Sequence, residues 1–155
     1  MPIDVGSRAP DFTLPNHDRE PVTLTRELQK GPVVLAFFPG AFSSTCEAEL
    51  CRFRDDASQL AQTRAQVLGV SVDTFFALKA WRDQQHFGFP LLSDFNKEVI
   101  RSYDVVQQEM IGLKDLAKRA VFVIDRTGVV RHREVLDDAR NEPDYGKVRE
   151  SLAAL

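Results

Sequence analysis

Residues 33–38 (VVLAFF) form an unbroken apolar run, with no polar residue alternating between the β-branched and aromatic ones. A strand of that pattern is buried on both faces, so it belongs at the centre of a sheet covered by a further layer on each side. Pro39-Gly40 closes the run, because proline has no N–H to donate to the next rung of a ladder. Between residues 44 and 62, Leu50, Phe53, Ala57, Leu60 and Ala61 recur at helical spacing, while Glu47, Glu49, Arg54, Asp55 and Asp56 fill the other faces. The chain therefore passes from a central strand through a short loop into an amphipathic helix.

Cys46 stands at that junction, seven residues after Pro39 and three after Ser43. A thiol becomes a nucleophile only as its anion. The first turn of a helix offers N–H groups with no intrahelical acceptor and a partial positive charge, and both favour the anion. Of the whole chain, this segment carries the most chemistry.

The remaining elements follow from the same signals. Residues 11–14 and 21–24 are short alternating pieces around the turn-rich PNHDRE and predict an N-terminal hairpin. Residues 66–72 (QVLGVSV) predict a second buried strand, 75–87 a helix containing Trp81, 89–92 a short strand and 96–102 a brief helix. Residues 120–124 and 129–135 flank Asp125-Arg126-Thr127-Gly128 and predict a hairpin, and 145–155 a closing helix. Strand, helix, strand, helix, hairpin and helix in that order predict an α/β sandwich of the thioredoxin-like kind, with a mixed central sheet and helices on both faces.

A chain of 155 residues suffices for one domain that buries about 70% of its unfolded surface, and no internal linker divides residues 1–155. The net charge of -3, with Lys and Arg scattered, argues against nucleic acid. No stretch reaches the about 18 apolar residues of a membrane-spanning helix, and the first residues carry no leader pattern, so the expected location is the cytoplasm. Two cysteines in such a chain are redox-active or inert rather than a structural bridge. His17, His86 and His132 have no metal-ligand spacing, and neither metal nor cofactor is called for. Trp81 and the phenylalanines read as core or interface filler.

The segment FFPGAFSSTCEAEL resembles the peroxidatic segment of peroxiredoxins, Pro-x-x-x-Thr/Ser-x-x-Cys. The resemblance extends to the opening GSRAPDFTL (6–14), to FPLLSD (89–94) and to Arg119 leading into AVFVIDRTG. The chain is most similar to the alkyl hydroperoxide reductase E group, with a second cysteine as in the bacterioferritin-comigratory group. The resemblance implies a thiol peroxidase in which Cys46 attacks the distal oxygen of a hydroperoxide or peroxynitrite and becomes a sulfenic acid. Ser43 would hydrogen-bond the thiolate or the peroxide, Pro39 would shield the site from water, and Arg119 would hold the thiolate and the peroxide oxygens. Glu49 would orient Arg119, and the N–H groups of Thr45 and Cys46 would complete the site. The implied reductant is a dithiol protein of the thioredoxin or glutaredoxin class, and Phe42 would touch a second subunit of a homodimer.

Magnitudes rank these contributions. Lowering a thiol pKa from about 8.5 to about 6 raises its ionised fraction at pH 7 from roughly 3% to roughly 90%, only about 30-fold. Positioned donors that meet charge developing on the departing oxygen each supply about 100-fold or more.

Cys51 departs from the one-cysteine pattern. Five positions of helix separate its Cα from that of Cys46 by about 8.6 Å, beyond the about 7 Å that a disulfide spans. If Cys51 resolves the sulfenic acid, the first turns of the helix unwind in each cycle. Three alternatives stay open: a one-cysteine peroxidase resolved by an external thiol, a redox sensor that oxidises once, and a thiol-disulfide oxidoreductase. The last normally uses cysteines two residues apart facing a proline, whereas here four residues intervene and Arg119 precedes the strand.

Overall fold

The computed structural model describes residues 3–155. Its centre is a five-stranded mixed sheet built on β3 (Val33–Phe37), all five residues of which are buried. β3 runs parallel to β4 (Gln66–Ser71), and β4 parallel to β5 (Leu91–Ser93). On its other side β3 pairs antiparallel with β8 (Arg119–Ile124), and β8 with β9 (Val130–Leu136). The order β5-β4-β3-β8-β9 places the apolar run in the middle, as its lack of alternation requires.

Successive side chains of β3, and that of Phe38 just after it, enter two different cores. Val33, Leu35 and Phe37 join one with Leu24, Leu28, Ile100 and Tyr103; Val34, Ala36 and Phe38 join the other with Cys46, Leu50, Trp81 and Leu152. The first face is covered by α1 (Leu24–Leu28), α5 (Glu98–Ser102) and the hairpin of β1 (Thr13–Pro15) with β2 (Pro21–Thr23). The second is covered by α2 (Ser44–Asp55), α4 (Phe75–Gln85) and α6 (Tyr145–Ala153). This is the expected thioredoxin-like sandwich with its N-terminal hairpin.

Three departures from the sequence reading have physical causes. The single helix expected over 44–62 is two, because the backbone leaves the helical region at Asp56 (φ -86°, ψ 4°) before α3 (Ala57–Gln62) resumes. There the Asp56 carboxylate accepts from Arg52 at 3.0 Å and from Arg149 of α6 at 3.3 Å. The short α1 was not anticipated; its five residues are too few to display a period. Neither was the hairpin of β6 (Val106–Met110) and β7 (Leu113–Ala117), whose residues are mostly exposed or half-buried and so carry no clean alternation. Ile111 (φ 48°) and Gly112 (φ 82°) turn that hairpin; the left-handed conformation suits the glycine but is uncommon for a β-branched residue.

Candidate active site

Cys46 lies in the first turn of α2, the helix that follows β3, and is fully buried. The first intrahelical bond of this turn runs from the N–H of Glu47 to the carbonyl of Ser43, at 2.9 Å. The N–H groups of Ser44, Thr45 and Cys46 precede that bond and have no acceptor four residues back in the helix. They give the start of the helix its positive end.

Glu49 follows Cys46 by three positions, which in a helix puts both side chains on one face. That face meets Arg119, the first residue of β8. The guanidinium uses each of its edges. Nη2 donates to Cys46 Sγ at 3.2 Å, Nη1 to Glu49 Oε1 at 3.2 Å, and Nε to the carbonyl of Ala139 at 3.1 Å. Cys46 and Glu49 are 0% exposed and Arg119 1%, so Arg119 is no surface strand-edge cation. Its planar fork fixes the directions of all three acceptors at once.

The electrostatics of this cluster are unequal. Burial pushes the Glu49 carboxyl up to about 8, against the opposing pull of Arg119 and with Glu142 and Glu134 adding to the rise. Burial works against the charge of Arg119 too, but Glu49 and Cys46 together outweigh it and hold Arg119 above its ordinary value. Glu49 Oε2 is buried and has no hydrogen-bond partner among the described residues. One cation thus faces two groups that can be anionic.

The loop between β3 and α2 is anchored from behind. Pro39, which ends the run after β3, is buried. The N–H of Ala41 donates to Asp73 Oδ2 at 2.8 Å, and the same oxygen accepts from Ser71 Oγ at 2.7 Å at the end of β4. Phe42 adopts φ 67° and packs its half-exposed ring 6.1 Å from that of Trp81. Ser43 is exposed and its hydroxyl donates to the Gly40 carbonyl at 2.9 Å, so in this arrangement it braces the loop rather than touching Cys46.

Cys51 is half-buried about one and a half turns further along α2, and both cysteines are free. Its Sγ lies 3.7 Å from Gln85 Oε1 of α4, and burial pushes its thiol up. Arg54 Nη1 donates to the Gln85 carbonyl at 2.5 Å, and Trp81 Nε1 to Glu47 Oε1 at 3.2 Å. Residues 47, 51 and 54 of α2 are therefore all held by α4. Sequence reasoning missed Asp73 and Gln85 and read Trp81 as filler. Only the helical spacing of 47, 51 and 54 could have signalled a common partner. The histidines are not part of the site: Nδ1 of the buried His17 accepts from the N–H of Leu91 at 3.4 Å. Among the described residues, no three His, Cys, Asp or Glu side chains are grouped as metal ligands would be, and no helix is long and apolar enough to cross a membrane.

Comparison with known proteins bears on this geometry. The AhpC/TSA family matches residues 5–133. A chloroplastic 2-cysteine peroxiredoxin of Chattonella marina var. antiqua is 36% identical over 166 residues, covering 100% of this chain and 80% of the relative. Alkyl hydroperoxide reductase E of Mycobacterium bovis is 36% identical over 135 residues, 86% of each chain. Peroxidoxin BcpB of Mycobacterium tuberculosis, known as a crystal structure, superposes with a TM-score of 0.90 at 31% identity over 99% of this chain and 98% of its own. With the match spanning most of the sequence and the fold alike throughout, this chain belongs to the AhpC/TSA family and is a peroxiredoxin.

Proposed function

We propose that this thiol peroxidase reduces hydrogen peroxide, organic hydroperoxides or peroxynitrite through a Cys46 sulfenic acid, with electrons returned by a dithiol protein of the thioredoxin or glutaredoxin class. The observation that carries the assignment of the site is the 3.2 Å contact from Arg119 Nη2 to a fully buried Cys46 Sγ in the first turn of a helix. The Cys46 thiolate attacks the distal peroxide oxygen; the S–O bond forms as the O–O bond breaks, and the departing oxygen takes a proton. Arg119 and the first-turn N–H groups meet the charge on the departing oxygen, Pro39 keeps water away, and Ser43 turns its hydroxyl from Gly40 toward the peroxide. Glu49 holds the guanidinium in place.

Cys51 then closes an intramolecular disulfide with Cys46 after α2 opens, because helical separation of about 8.6 Å is too great for the bond. Two free thiols fit a reducing compartment such as the cytoplasm. The exposed rings of Phe42, Phe76 and Phe95 follow β3, β4 and β5 in the chain, at the same end of three parallel strands, and offer the apolar rim on which a second copy docks.

The test is the intact mass before and after one equivalent of peroxide, together with turnover on a dithiol reductant. The reading requires loss of two hydrogens as the 46–51 bond forms, with continued peroxide consumption. Stable sulfenic or sulfinic acid on Cys46 removes Cys51 from the cycle and leaves resolution to an external thiol. One oxidation without turnover makes the chain a sensor, and an unchanged mass removes Cys46.

A further inference from the structure

We infer that Cys46 and Glu49 hold a single proton between them in the reduced enzyme, so that Glu49 is the proton store that keeps the buried site electrically neutral through peroxide reduction. The inference deepens the peroxidase reading and rests on Cys46 being the attacking thiolate.

The argument begins from a charge count. Arg119 is the only cation within ion-pair or hydrogen-bond distance of Cys46 or Glu49 among the described residues, and its two terminal nitrogens are divided between them. Cys46 and Glu49 are 0% exposed and the Arg119 side chain 2%. Leaving one uncompensated charge in such a place carries a large desolvation penalty, so a thiolate and a carboxylate cannot both sit opposite one guanidinium without cost. What faces Glu49 from the other packed elements worsens the excess. Glu134 of β9 and Glu142 beyond it are acidic, and the phenol O–H of Tyr145 at the start of α6 donates a hydrogen bond to Glu142 Oε1 at 2.7 Å. Oε1 of Glu49 is taken by Arg119, whereas Oε2 is buried with no partner among the described residues. A carboxylate oxygen in that position is poorly stabilised as an anion and is the natural seat for a proton. The raised affinity of Glu49 for its proton agrees with this.

Two neutral arrangements are therefore available: thiol with carboxylate, and thiolate with carboxylic acid. They interconvert as the S–H bond breaks and an O–H bond forms on Oε2 by exchange with solvent, and only the second reacts. The reaction then balances within the site. Thiolate, Glu49 carboxylic acid and ROOH yield sulfenic acid, Glu49 carboxylate and ROH. Sulfur loses two electrons, the O–O bond accepts them, and the leaving alkoxide ends with the proton released by Glu49. Net charge on the trio is zero before and after, because Arg119 exchanges one anionic partner for the other. As with other strongly interacting titratable pairs, the protons belong to the pair rather than to either residue.

Infrared difference spectroscopy of the unmodified reduced enzyme, before and after one equivalent of hydrogen peroxide, tests this without any variant. The expected result is loss of a protonated-carboxyl band as Cys46 becomes sulfenic acid, with the same band missing in Glu49→Gln. Sulfenic acid formed with no change in the carboxyl region, or with the same band lost in Glu49→Gln, overturns the shared proton while leaving the peroxidase intact. A protein whose mass peroxide does not change loses both readings.

Discussion

Arg119 commits one edge to the thiol, one to a carboxylate and one to a backbone carbonyl, so its role cannot be filled by a point charge. Arg119→Ala should lower kcat/KM for peroxide about 100-fold or more even at a pH where Cys46 is fully ionised, because the lost donors act on the departing oxygen. Arg119→Lys should restore little, since an ammonium cannot present the fork. Stopped-flow oxidation at high pH checks both, and wild-type rates in either variant would remove the arginine from the chemistry. Cys46 and Glu49 could be paired from sequence because three helical positions bring them to one face. Arg119 could not: it lies 73 residues from the cysteine, and only its likeness to the family motif joined the two. The Asp73 contact to the Ala41 N–H was legible in neither way, because a loop anchor leaves no periodic trace.

α2 is the element whose stability the proposed cycle must spend. Three residues on one of its faces, Glu47, Cys51 and Arg54, are tied to Trp81 and Gln85 of α4, and forming a 46–51 disulfide means breaking those ties. A hydrogen bond is worth about 1 kcal/mol net. Trp81→Phe and Gln85→Leu should each therefore speed disulfide formation after peroxide by roughly 5-fold, read by quenched mass spectrometry. If the rate stays the same, the helix opens without releasing α4. A strong period or an unbroken apolar run revealed β3, β4, β8, α4 and the first part of α2, and shorter patterns bounded by turn residues revealed β1, β2, β5, α5, β9 and α6. Those it hid are short or polar. β6 and β7 lie largely at the surface and have no buried face to mark, and the break at Asp56 depends on Arg149, an ion-pair partner 93 residues away.

For the molecule as a whole, two carboxyls tilt stability in opposite directions. Burial opposes ionisation of Asp125, but bonds from Thr127, the Val129 N–H and Arg131 outweigh it and hold the carboxyl at about 2. Its contribution is present above the ordinary carboxylate range near 3.8 and is lost as pH falls through about 2. Glu49 is raised instead, so the folded state binds the extra proton; its contribution is full below about 4.5 and is lost as pH rises through about 8. Denaturant melts across pH should show unfolding free energy falling on both sides. Asp125→Asn should flatten the acid limb and Glu49→Gln the alkaline one; a limb that keeps its slope in the matching variant would refute that assignment. Cys46 is 0% exposed, and the loop before its helix is anchored to Asp73. A sulfur with no exposed surface offers peroxide no contact in this conformation, so stopped-flow oxidation is expected to level off at high peroxide at the rate of local opening, and rates that stay proportional to peroxide would show that no such opening is needed.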